Sequence, residues 1–309
     1  MKDESLGKRD KNMAGEKTAP RRVVTPSAWR ILWNEIYSDK LALFSLFFFI
    51  ILVLTIFIWA AQYDLSVVNR VNLRYRNLPW GHEDFFLGTD PMGRDIIPLL
   101  VIGARNSLAI GLTVAVINSV IGIFVGLFAG FYGGHVDNVV MRLIDFFTMV
   151  PTLMVQIMLL AILTSSVPNM ILVFVIFGWL GMARSIRMIT LQQGVLDYVK
   201  ASKTLGTYNI VIIFREVLPN VVAFIVINLT LTIASVIGIE TALTILGFGL
   251  PLTTPSLGTL VSWAMDALTL QNRPWQWLPA ATLVLVMVLC INYIGQALNR
   301  AADARRRRV

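Results

Sequence analysis

The sequence predicts an all-α membrane protein with six transmembrane helices, and three observations carry the prediction. Apolar residues make up 56% of the 309 and charged residues only 14%, whereas a soluble domain is about a quarter charged and roughly 45–50% apolar. Uncharged runs recur at lengths that suit a bilayer core, which about 20 helical residues cross. The Lys and Arg residues behind the net charge of +8 gather in segments that six spans would place on one side of the membrane.

Residues 1–40 are expected to form a cytoplasmic tail with an amphipathic lead-in to the first span. The first 28 are rich in Lys, Arg, Glu and Gly, and mobility is expected there, because so little apolar surface cannot offset the ordering entropy. Leu41–Ala61 follows with 21 uncharged residues, 15 of them Leu, Ile, Phe or Val, and insertion of that set gains about 4 to 9 kcal/mol. The long polar segment before it and its long apolar core mark 41–62 as a retained anchor rather than a cleaved signal peptide. A loop over 63–106 leads to a core transmembrane region over 107–300. Its second span is placed near 107–130, ahead of the Gly-rich turn at Tyr132-Gly133-Gly134. Thirty-eight uncharged residues separate Asp145 from Arg184, and Ser165–Asn169 divides them into spans near 143–164 and 168–185. Pro151 can kink the first of these. Val217–Ile239 gives a fifth span and 277–298 a sixth, with a Gly- and Pro-punctuated stretch between them.

Lys and Arg set the orientation. Twenty of the 26 lie in the N-terminal tail, at Arg142, in the 184–216 loop or in the basic tail over 301–309 with Arg300, and six lie in the opposite segments. Both termini and the 184–216 loop are therefore expected in the cytoplasm of a multi-pass protein. The Arg305–Arg308 run reads as an anchor beside anionic headgroups rather than a nucleic-acid patch.

Several chemistries find no support. The chain has no P-loop motif and no His-Glu-x-x-His. His82-Glu83-Asp84 is a polar loop rather than a metal site, and Cys290 lies in an apolar span as a packing residue. One Cys allows no internal disulfide framework. Asp145 and Glu240 sit near span ends, and no span carries a charge at its middle, which disfavours an ion-coupled carrier. Gly122, Gly126 and Gly130 repeat every four residues, a spacing for close helix contact within the subunit or between subunits.

The 184–216 loop reads as helix, break, helix. Tyr198, Ala201, Ser202 and Leu205 share one helical face, and Gly206 suits the left-handed position past a helix end. Such a helix either docks in a partner's groove or lies flat at the membrane interface.

These residues also carry a resemblance. Lys200-Ala201-Ser202, Gly206 and Leu218-Pro219-Asn220 match the spacing of the Glu-Ala-Ala…Gly…Leu-Pro signature of bacterial ABC importer permeases. Leu87–Asp95, Gly103–Leu108, Gly130–Gly134, Glu240–Gly249 and Asn292–Arg300 resemble the C-type subunit of the peptide/nickel importer subclass. The chain departs from the family pattern at Lys200, where the signature has Glu, at Ser202, where it has Ala, and at Gln296, where it has Asp. The resemblance implies a type I ABC importer permease bundle without catalysis or a cofactor of its own, with ATP and Mg on partner chains. It implies two cytoplasmic ABC ATPase subunits, a second homologous permease, an extracytoplasmic substrate-binding protein and an oligopeptide or dipeptide substrate, and no nucleic acid. Nickel-chelate import and ion-coupled transport are the alternatives. Arg184, Arg187, Lys200, Ala201, Ser202, Gly206, Leu218 and Pro219 are the expected ATPase-coupling residues. Glu240, Leu246, Gly247 and Gly249 are the expected outer gate, against the simpler reading of a turn that caps the fifth span.

Overall fold

A computed structural model describes residues 39–82 and 84–306 of the chain. The expected tail lies outside the described residues up to residue 38, as do Glu83 and the last three residues. Among the described residues, five long helices are apolar enough to cross a membrane, and a sixth crossing is available if one sharply bent helix pair counts as a single span.

Helix α1 (Lys40–Ala60) starts where Asp39 caps the backbone N–H groups of Leu41 and Ala42. Phe44, Phe47, Leu54 and Ile58 remain exposed on it, as a lipid-facing helix requires. The short α2 (Leu65–Val68) follows. Helix α3 (Ile96–Tyr132) begins at Asp95, whose side chain accepts from the Ile97 N–H. Burial pushes the Asp95 carboxyl above its ordinary pKa, and the Ile97 hydrogen bond opposes that shift. The span expected near 107–130 is therefore the inner part of a 37-residue helix. Residues 96–106 belong to it and not to the preceding loop.

Pro151 does more than kink the third span. Helices α4 (Gly134–Thr148) and α5 (Thr152–Ile162) meet there at 73°. Proline disfavours the helical conformation of the residue before it and donates no N–H. The expected continuous span near 143–164 is thus a broken one. Helix α5 alone reaches about 17 Å, short of a bilayer core.

Helix α6 (Val167–Gly194) runs 28 residues without interruption. The cytoplasmic loop expected from residue 184 begins only past Gly194, because Arg184 and Arg187 are helical. Helix α7 (Asp197–Thr204) is followed by α8 (Asn209–Ile212), a π turn (Ile213–Val217) and α9 (Leu218–Ile245), the last three forming one continuous rod. Pro219 explains the π turn: its ring clashes with the carbonyl four residues back, that of Arg215, and the wider turn absorbs the misfit. Helices α10 (Leu257–Val261), α11 (Ala267–Asn272) and α12 (Pro274–Arg306) complete the chain.

Helix α3 lies at the centre, with its most extensive contact against α6 and a second against α9. The glycine stripe makes the first contact possible. A Cβ on Gly122 would lie 2.6 Å from Met182 Cβ, one on Gly126 2.6 Å from the Ala183 carbonyl oxygen, and one on Gly130 2.7 Å from the Arg187 carbonyl oxygen. The stripe is intramolecular packing, as one of its two readings held. A second apolar cluster joins α1, α3, α9, α10 and α12 around Leu108, Ile237, Leu257 and Met287. An ion pair between Arg300 and Asp39 brings the described ends of α1 and α12 together. Leu43 and Leu46 of α1 pack there with Ile227 of α9 and Ile294 of α12.

Candidate functional site

Two polar regions stand at opposite ends of the bundle. The first is α7. Its last turn closes with the Gly206 N–H donating to the Lys203 carbonyl at 3.0 Å and the Thr207 N–H donating to the Ser202 carbonyl at 3.1 Å. That bond pair is a Schellman motif, and it demands the left-handed backbone that Gly206 supplies at φ +81°. One face of α7 is keyed into the bundle. Val199 is fully buried beside Phe131, Ile186, Ile212 and Val217, and the Lys203 ammonium sits 4.5 Å from the Phe131 ring centroid.

Ser202 Oγ donates to Glu216 Oε1 at 2.5 Å, joining α7 to the π turn at the root of α9. Tyr198 donates to Gln193 Oε1 at 2.6 Å and accepts from Asn220 Nδ2 at 3.2 Å. Burial raises the Tyr198 phenol pKa, the Asn220 bond lowers it, and the nearby Glu216 charge raises it further. The face expected from spacing is therefore divided. Ser202 and Tyr198 are engaged, while Ala201 and Leu205 are open, Leu205 being 85% exposed. Lys200 reaches only Asp197 at 3.7 Å, both in solvent, a pair of little energetic weight. Past Gly206, Tyr208 is 80% exposed.

Arg184 and Arg187 are not brought to α7. Arg187 forms a two-pronged bond to Asp137, with Nε to Oδ1 at 2.6 Å and Nη2 to Oδ2 at 2.5 Å. Arg184 meets Asp145 at 2.5 Å. Both arginines fasten α4 to α6, because each lies on the helical continuation of the span and not in a loop. Leu218 packs half-buried at the start of α9, and Pro219 beside it is exposed. Glu216 was not singled out from sequence. Its signal would have been a lone acid opposite a serine that replaces alanine.

The second region surrounds Glu240, which is completely buried in α9. Ser107 of α3 donates to its Oε2 at 3.0 Å, and the same hydroxyl accepts from the Leu257 N–H at 3.1 Å. Thr244 Oγ1 lies 3.3 Å from Oε1. Three helices thus converge on one carboxyl. Glycines make room for it: a Cβ on Gly258 would lie 3.1 Å from Glu240 Oε1, and one on Gly249 would lie 1.9 Å from Thr244 Oγ1. Gly247 turns the chain at φ +89°, next to a half-exposed Leu246.

The loop 87–95 lies at the same end. Asp90 and Arg94 form a buried ion pair at 2.7 Å. Arg94 Nη1 also donates to the Leu252 carbonyl at 3.0 Å and to Asn69 Oδ1 at 3.2 Å. Gly93 has φ +73°, and a Cβ there would lie 1.9 Å from the Asn72 carbonyl oxygen. The loop is a rigid clasp on the segment that follows Glu240. Among the described residues, no group of three or more His, Cys, Asp or Glu is placed to hold a metal ion. Each region ties helices together through hydrogen bonds between side chains of different elements.

A family profile described as the binding-protein-dependent transport system inner membrane component matches residues 122–308. The chain belongs to that family. The oligopeptide transport system permease protein OppC of Lactococcus lactis subsp. lactis is similar to it, 40% identical over 273 residues that cover 88% of this chain and 93% of the relative. The protein of the same description from Bacillus subtilis is 34% identical over 91% of each chain. The dipeptide transport system permease protein DppC of Bacillus subtilis is 32% identical over 89% of this chain and 85% of its own. The chain is a multi-pass membrane permease of this binding-protein-dependent family, and of the motifs that carried the resemblance in sequence, Lys200–Gly206, Leu87–Asp95 and Glu240–Gly249 lie at the two polar ends of its bundle.

Proposed function

We propose that this chain is one permease subunit of an ATP-driven importer for oligopeptides or dipeptides. It forms half of the translocation path beside a second homologous permease. A binding protein delivers peptide at the Glu240 end, and two cytoplasmic ATPases carrying ATP and Mg act at the α7 end. The observation that supports this reading is the form of α7 in a chain of this family. Its inner face is keyed to the root of α9 through Val199 and the Ser202–Glu216 bond, and its outer side offers Ala201, Leu205 and Tyr208 to a partner. A push on that outer side reaches the 37-residue rod that ends at the Glu240 cluster. The rod and its two polar ends supply the connection that alternating access needs, with ATP and peptide each favouring a different bundle state.

Lys200 through Gly206, with Leu218 and Pro219, is the coupling segment in this reading. Arg184 and Arg187 support it indirectly by holding α4 against α6. Glu240, Leu246, Gly247 and Gly249 form the outer gate, fixed to α3 and α10.

Reconstitution tests the proposal. Proteoliposomes holding this chain with the second permease, two ATPases and binding protein should take up labelled tripeptide only with ATP inside the ATPase compartment. Uptake by this chain alone, driven by a proton or sodium gradient, would refute it.

A further inference from the structure

Asn118 lies deep within α3, in a stretch without a charged residue from Asn106 to Val136. It is 2% exposed, and its Oδ1 has no hydrogen-bond partner. No water in a bilayer core can supply one, so an unpaired amide at this depth requires an explanation. Its position suggests one. A Cβ on Gly178 of α6 would lie 2.0 Å from Asn118 Nδ2. The amide therefore occupies the space that a side chain at residue 178 would take. Gly178 is exposed, and so is Gly181 one turn on, where a Cβ would meet nothing within 4 Å.

The surroundings differ from a lipid-facing surface. Helices α1 and α3 expose Phe47, Leu54, Leu112 and Phe124. Helix α9, which packs against α6, exposes between Val221 and Ile245 only Ser235, Gly238 and Ala242. Helix α6 exposes Leu172, Ile176 and Met188 as well, so the opening is local: Gly178 and Gly181 beside the small exposed residues of α9 leave room for a narrow wet path.

We propose that Asn118 is a substrate-contacting residue of this path, binding the peptide main chain through the gap at Gly178 and Gly181. A neutral primary amide offers an acceptor and two donors, which matches the N–H and C=O of any peptide group. It would hold peptides irrespective of side chain, which a charged residue at this depth would not. The inference rests on the peptide-importer reading above.

The test uses the complete transporter in proteoliposomes, with a labelled tripeptide and an analogue in which the first of its two peptide bonds is an ester. Both are supplied at concentrations that saturate the binding protein, so that its own selectivity drops out. Wild-type transporter should prefer the tripeptide over the ester at least fivefold. Asn118→Leu and Asn118→Ala should take up both at nearly equal rates in complexes that assemble with the same subunits as the wild type. A Gly181→Cys variant in a Cys290→Ser background should react with a charged thiol reagent. Three results would overturn the proposal: an unchanged preference in either Asn118 variant, loss of both substrates alike, or a Gly181→Cys that cross-links to the second permease and stays closed to the reagent. Failure of wild-type transporter to import the tripeptide with ATP would instead reject the importer reading itself, and this inference with it.

Discussion

At the scale of single residues, Gly206 separates backbone geometry from side-chain size. Its φ of +81° closes the Schellman motif, and a Cβ at the position meets no atom within 4 Å. A substitution there is opposed by backbone strain, about 1–2 kcal/mol for an ordinary L-residue, and not by a clash inside the chain. Asn tolerates that backbone better than other side chains, and Val tolerates it badly. Gly206→Val should therefore abolish ATP-driven uptake while leaving the chain inserted, and Gly206→Asn should keep at least half of it. Uptake assays on the two reconstituted variants check this, and a normal rate for Gly206→Val would separate α7 from coupling.

The same scale shows where sequence reading ended. The Gly206 position follows from helix-end chemistry alone, so it was legible. Ser107 and Glu240 stand 133 residues apart, and only the fold brings them to 3.0 Å. Asn118 carried no local signal, because its meaning depends on a missing side chain at Gly178 in another helix. Arg184 and Arg187 were misplaced for a related reason. Charge marks the end of a hydrophobic run but not the end of a helix, and α6 continues ten residues past Arg184 to Gly194.

At the scale of elements, α3 and α6 form the spine of the bundle. Membrane helices have no hydrophobic drive to associate, so close packing must do most of the work. The stripe at Gly122, Gly126 and Gly130 allows that packing, and its four-residue period could be read directly from sequence. The partner helix could not, since the period specifies a face and not what covers it. Gly126→Leu should push against Ala183 and Ile186, where a Cβ alone would already lie 2.6 Å from a carbonyl oxygen. Overpacking of this kind costs about 1–3 kcal/mol. A thermal-unfolding measurement in detergent should place Gly126→Leu several degrees below the parent. Gly194→Ala, where a Cβ meets nothing within 4 Å, should not differ from the parent. Equal melting temperatures for Gly126→Leu and parent would mean that the α3–α6 contact is looser than these distances require.

At the scale of the whole molecule, the net charge of +8 is expected to report orientation in the membrane. Among the described residues, Arg184, Arg187, Lys200, Lys203 and Arg215 lie in or near the segment around α7, and the Arg300–Asp39 pair fixes the described chain ends beside each other. The opposite end has Phe86 76% exposed immediately before the rigid 87–95 clasp. If Lys and Arg remain on the cytoplasmic face during insertion, the two ends must meet different compartments. In a Cys290→Ser background, a cysteine at Thr207 should react with a membrane-impermeant maleimide only in inside-out vesicles. A cysteine at Phe86 should react only in right-side-out ones. If the bent pair counts as one span, three crossings separate Phe86 from Thr207, so the two sites face opposite sides and their labels must exchange together. Reversal of both would invert the direction of transport proposed for this permease, and labelling of both from one side would require that the bent α4–α5 pair does not cross the membrane.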